Sequence, residues 1–159
     1  MATLPQLIEE DVRFIEEVLR DLLEKSEATS ALLIDHGGFL ICSQGEATQF
    51  DLTTLAARAS GAYLASQTIA NLVHETSFNS AYQQGENFSM FIMYVDEHCL
   101  LAIIFKAQVS VGVVKYFAAP ASTQIAGQLH TVRVREPGKG IDLSELNLAD
   151  TSGIFRKKS

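Results

Sequence analysis

The stretch from Leu52 to Val73, LTTLAARASGAYLASQTIANLV, constrains this chain more than any other. It is rich in helix formers, Ala above all, and Asp51 stands where an N-cap belongs. Its single formal charge is Arg58. A helix on the surface of a soluble monomer presents a charged face to water, and this one has none. A bilayer, a large core or a second protein chain would each satisfy it. The bilayer fits poorly, because a spanning helix needs about 20 predominantly apolar residues. Here Thr53, Thr54, Arg58, Ser60, Ser66, Gln67, Thr68 and Asn71 interrupt the run, and an Arg near a helix centre is costly in lipid. A large core fits poorly too: 159 residues make one domain with a tail, and helices of such a domain keep one wet face. A covering partner chain remains.

Placed at about 100° a residue, Leu52, Leu55, Ala56, Ala59, Ala62, Tyr63, Ser66, Ile69, Ala70 and Val73 fall in one arc, expected to face a sheet. The other side carries Ala57, Gly61, Leu64, Ala65 and Thr68, with Thr54 and Leu72 beside them. Ala57, Gly61 and Ala65 form a flat stripe of small residues. Such a stripe lets two backbones approach closely. Gly61 in mid-helix costs about 1 kcal/mol against Ala, so a packing benefit is expected to offset it. Thr54, Ala57, Arg58, Gly61, Leu64, Ala65 and Thr68 are the candidate partner-binding residues, with Arg58 the best single contact.

The rest of the chain reads as a compact α+β domain. Residues 6–25 form an amphipathic helix, with Ile8, Val12, Ile15, Leu19 and Leu22 in one stripe. Glu9–Arg13, Glu16–Arg20 and Asp21–Lys25 stand at i,i+4 on the wet side. Residues 31–34 and 39–43 read as strands around the turn Asp35-His36-Gly37-Gly38. A phosphate-binding reading of the two glycines lacks the Gly-Lys-Ser/Thr pattern of a P-loop. After the charge-poor helix, residues 75–87 read as a polar connection. FSMFIMYV (88–95), CLLAIIF (99–105) and VGVVKYF (111–117) read as three strands, the first two apolar on both faces. Pro120 suits the start of a last helix, Ala121 to about Val134. The order α-β-β-α-β-β-β-α fits a five-stranded antiparallel sheet packed against helices. Residues 1–135 make the domain. Residues 136–159 open on Pro-Gly-Lys-Gly and read as a flexible tail, with Ile141, Leu143, Leu146, Leu148, Ile154 and Phe155 as its apolar residues and a solvated Arg156-Lys157-Lys158 end.

Composition narrows the function classes. The chain is 47% hydrophobic and 19% charged, with net charge −7. An acidic balance argues against nucleic-acid binding, which relies on Lys and Arg against phosphates. Cys42 and Cys99 lie in apolar strand-like runs and read as buried reduced thiols. No spacing suggests a metal ligand set or a cofactor site. The start, MATLPQLIEEDVRF, lacks the regions of a signal peptide, so a cytoplasmic protein without membrane insertion is expected. His36, His74, His98 and His130 are scattered, and no Ser-His-Asp order or nucleotide loop is present. No catalytic residue is assigned, and a non-enzymatic protein is expected.

The order and spacing of several stretches resemble the Roadblock (dynein light-chain) family, nearest its bacterial MglB-type members. ALLIDHGGFLICSQG, Asp51-Leu52 with Leu55-Ala56, Asn71-Leu72-Val73, FNSAYQQG (78–85), CLLAIIF and VGVVK carry the likeness, over residues 28–117. The resemblance implies a five-stranded antiparallel sheet between helices. It also implies a homodimer through the middle strand and the charge-poor helix, joining two sheets, with Phe88, Met90, Ile92 and Tyr94 at the interface. It further implies binding to a small Ras-like GTPase of the MglA type, with stimulation of GTP hydrolysis by a dimer that inserts no arginine finger. The alternative in the same family is a non-catalytic scaffold in a polarity, motility or motor complex.

Overall fold

The computed structural model describes residues 6–46 and 50–135. The expected tail, residues 136–159, lies outside the described residues. Helix α1 (Glu9–Ser26) leads into strands β1 (Ser30–Asp35) and β2 (Leu40–Gly45). Helix α2 (Leu52–Leu72) separates them from β3 (Ser80–Gln84), β4 (Phe88–Tyr94) and β5 (Cys99–Lys106), and α3 (Val111–Val134) closes the domain. The strands form one antiparallel sheet in the order β2-β1-β5-β4-β3. The expected α-β-β-α-β-β-β-α order holds.

Two strand assignments change. VGVVKYF is the first part of α3, not a strand. Its β-branched residues favour a strand locally, but Val114, Ala118, Ala121, Ile125, Leu129 and Val132 continue one helical stripe that is buried throughout. The Ser110 hydroxyl caps this helix by accepting from the Gly112 amide at 3.1 Å. Pro120 therefore lies inside the helix rather than at its start. It is exposed, so water can reach the Tyr116 carbonyl that its missing amide leaves free. The fifth strand is instead Ser80–Gln84, read from sequence as a connection.

The sheet is covered on both faces, and strand alternation sorts its side chains between them. On one face Ala31, Leu33, Leu101, Ile103 and Phe105 pack under Ile15, Leu19 and Leu22 of α1 and Val114, Ile125 and Leu129 of α3. The two helices are pinned where α3 ends and α1 begins. Arg135 donates two hydrogen bonds to the carboxylate of buried Asp11, at 2.8 and 2.9 Å. Gln128 donates a third at 2.7 Å, and the Ile8 amide a fourth at 2.9 Å. Burial works to raise the Asp11 pKa, but these donors and the Arg135 charge outweigh it and hold the carboxyl below its ordinary value. On the other face Leu32, Ile34, Ile92, Leu100 and Ala102 pack under α2. Cys42 and Cys99 are free and buried, and burial pushes the Cys42 thiol up to about 12.

Candidate functional site

Helix α2 begins as its sequence predicts. Asp51 accepts from the Thr54 amide at 3.2 Å and the Thr54 hydroxyl at 2.7 Å, bonds that lower its pKa. The face toward the sheet is built from small residues, so the helix lies close. Ala56, Ala59, Ser60, Tyr63 and Ala70 are its buried positions. The β1–β2 hairpin reaches it at Gly38, where φ is +95° and an added Cβ would stand 3.2 Å from the Ala57 Cα. Only glycine combines that backbone conformation with so near an approach.

Polar side chains then tie α2 to two loops. The Ser60 hydroxyl donates to the His36 carbonyl at 2.7 Å. The Tyr63 hydroxyl donates to the Phe78 carbonyl at 3.1 Å, and burial raises its pKa, with Tyr94 adding to the shift, so it stays a neutral donor. The Gln67 amide donates to the same carbonyl at 2.9 Å and accepts from the Phe78 amide at 3.0 Å. Gln67 thus pairs with Phe78 as a neighbouring strand would, two residues before β3 starts. Sequence reading missed this clamp; its only signal was a Gln at the edge of the buried stripe.

The outward face of α2 matches the expected partner-binding set. Thr54, Ala57, Arg58, Gly61, Leu64, Ala65 and Thr68 are all exposed. Nothing lies within 4 Å of a Cβ added at Gly61, so the glycine is not required by any contact inside this chain. Arg58 makes no ion pair among the described residues. Apolar residues extend the face: Leu64 and Ile69 are 53% exposed, Leu72 77% and Val73 56%. Ile69 and Val73 therefore do not lie on the sheet, as the helical wheel suggested. In the last two turns of α2 only Ala70 is buried.

The candidate dimer residues need a larger correction. Phe88, Met90, Ile92 and Tyr94 lie on β4, which pairs with β3 on one side and β5 on the other. Its backbone groups are committed within the chain, and Ile92 is fully buried under α2, so two sheets cannot join along this strand. The open edge on that side is β3. Its face residue Tyr82 stacks on Phe105 with centroids 6.1 Å apart, yet stays 42% exposed. Leu55 of α2 and Gln83, Gln84, Phe88 and Met90 line an open groove of about 270 Å³ at the same edge.

Among the described residues, no group of three His, Cys, Asp or Glu side chains could hold a metal ion. No described helix is long and apolar enough to cross a membrane. The arrangement sets a helix face whose single charge is Arg58 beside an open sheet edge.

Comparisons with known proteins agree with this geometry. An MglB with a tetrameric arrangement superposes with a TM-score of 0.77 at 27% identity, covering 83% of this chain and 99% of its own. Gliding protein MglB from Thermus thermophilus gives 0.76 at 28% identity, covering 82% and 99%. MglB from Myxococcus xanthus gives 0.75 at 27%, covering 82% and 98%. No curated protein matches the chain in sequence. Residues 14–105 match the model of the Roadblock/LC7 domain. With more than half of its length inside that match, the chain belongs to the Roadblock/LC7 domain family.

Proposed function

We propose that this protein is a dimeric, non-enzymatic regulator of a small Ras-like GTPase of the MglA type. The observation that carries the reading is the outward face of α2. It is long, nearly uncharged and fully solvent-facing within one chain, and large exposed apolar faces mark interaction sites. The likeness to MglB proteins over four-fifths of the chain supports the class of partner.

In this reading two copies join through the β3 edges, not through β4. An open edge invites pairing with an identical edge, and a two-fold axis makes that pairing self-complementary. Leu55, Ala62 and Ile69 recur every seven residues on the flank of α2 above β3, and they extend the contact between copies. The small stripe of Ala57, Gly61 and Ala65, with Thr54, Arg58, Leu64 and Thr68, receives the GTPase. Positioning and electrostatics dominate phosphoryl transfer, so a partner that orders the switch segments accelerates hydrolysis without chemistry of its own. Arg58 forms a salt bridge at the rim of the interface.

Three measurements test this. Light scattering on the wild type should give twice the chain mass, and Ile69→Asp should give the monomer. A wild-type monomer at micromolar concentration would refute the dimer. GTP hydrolysis by an MglA-type GTPase from the same genome should accelerate on addition of the protein, and Arg58→Ala should weaken binding in calorimetry. Binding without acceleration would leave a scaffold; no binding would remove the GTPase.

A further inference from the structure

The tail of this chain has a fixed point of departure. The last described residue, Arg135, is held by Asp11 through two hydrogen bonds, so residues 136–159 start beside the first turn of α1. From that point α1 and α3 pack side by side over the shared core, which leaves a shallow groove along their seam. The flank of α1 along it carries Glu10, Phe14, Glu17 and Asp21, at spacings of four, three and four residues that place them on one side of the helix. Glu10 is near enough to favour the charge on Arg135, and Asp21 lines the groove itself. There, Val18, Leu22, Phe117 and Pro120 surround a cavity of about 50 Å³ with Asp21 and Lys25 at its rim. Phe14 is 39% exposed on the same flank.

We propose that residues 141–158 of this chain dock in the α1–α3 groove. Their apolar side chains lie on its floor, and Arg156, Lys157 and Lys158 lie against the acidic flank of α1. Three observations converge on this occupant. The tail leaves the fold at the mouth of the groove. The reach suffices: Asp11 to Lys25 spans about 21 Å along α1, and residues 141–155 cover about as much even at the 1.5 Å rise of a helix. The charges also match. Glu17 has no ion pair among the described residues, and Asp21 pairs only with its neighbour Lys25, at 2.8 Å. The tail gathers three cations at its far end, after its own Asp142, Glu145 and Asp150. Ile141, Leu143, Leu146 and Leu148 give it apolar side chains for the floor. Docking here leaves the outward face of α2 free, so the proposal stands independently of any GTPase.

Amide hydrogen exchange on the full chain tests the docking. Residues 141–155 should exchange at least about tenfold more slowly than a random coil. The pair Glu17→Lys and Asp21→Lys should return them to random-coil rates while leaving α1 and α3 protected. Adding Arg156→Glu, Lys157→Glu and Lys158→Glu to that pair should restore the protection. Random-coil exchange in the wild type would overturn the proposal. So would protection that survives the α1 charge reversal, which puts the tail elsewhere, or protection lost on dilution, which assigns it to a second copy.

Discussion

On one face of the sheet, two helices lie side by side over Leu33, Leu101, Ile103 and Phe105, and a buried ion pair locks their ends together. On the other face, one helix covers Leu32, Ile34, Ile92 and Ala102 with Ala56, Ala59 and Tyr63, and with Leu52, Leu55 and Ala62 partly buried beside them. On the first face both helices put large apolar residues inside; α1 puts charge outside, while α3 shows Val113 and Tyr116 to solvent. The second has mostly small residues inside, and Arg58 is the single charge on its helix. One sheet therefore carries a side that stabilises the monomer and a side that the monomer leaves open. The physical difference is side-chain volume. Leu, Ile and Phe bury far more apolar area per residue than Ala and Ser, so the α1–α3 side holds most of the stability. The α2 side is free to be shaped for contact.

The α1–α3 side should be the more sensitive to substitution. Phe105→Ala removes a fully buried ring and should cost about 3–5 kcal/mol in denaturant unfolding; a loss below about 1 kcal/mol would mean that this face is not the stabilising one. Asp11→Ala comes next. It strands a partly buried guanidinium at the α1–α3 junction and should cost about 3 kcal/mol. The same pair gives a pH signature. The Asp11 carboxyl sits below its ordinary value in the folded protein, so its contribution is complete above the ordinary carboxylate range. It is lost as pH falls below that range and through the lowered folded value. Wild type should therefore lose more stability on acidification than Asp11→Asn, and parallel acid titrations would contradict the assignment.

The α2 side should respond differently. Gln67→Ala removes both bonds to Phe78 and should cost about 1–2 kcal/mol. The loss should appear locally, as faster amide exchange across Ser80–Gln84 with α1 and α3 unchanged; uniform acceleration would show that β3 is not held from the helix. The smallest effect on stability, and the most telling, belongs to Gly61→Leu. With open space around the position, replacing a mid-helix glycine should stabilise the monomer by up to about 1 kcal/mol while abolishing GTPase binding. Unchanged binding would take Gly61 out of the contact surface.

Much of this was legible in the sequence, for reasons that vary by element. α2 announced itself through a cap, a long run of helix formers and the missing charges, and all seven of its outward candidates are exposed. The β1–β2 hairpin and the β4–β5 pair were legible because continuous apolar runs bounded by turn residues have few other readings. β3 was not. An edge strand with both flanks near water needs no hydrophobic alternation, and Ser-Ala-Tyr-Gln-Gln shows none. The same blindness moved the expected dimer contact to β4, whose apolar sequence reflects burial beneath a helix rather than contact with a second copy. VGVVKYF misled in the opposite sense: its valines favour a strand over seven residues, and only the longer stripe from Val114 to Val132 shows the helix. Local preference lost to tertiary packing there.

The Gln67 clamp on Phe78 has a mechanical consequence. An edge strand held only by β4 would be a flap, able to fray while the helix stayed still. With its entry residue bonded to both Tyr63 and Gln67, β3 is geared to α2, and a displacement of one drags the other. A protein that presses on the helix therefore also alters the angle at which the free edge is offered, and a strand that captures that edge steadies the helix in return. Cooperation between the two contacts would then need no long pathway, only one amide side chain that behaves as a short piece of β-strand.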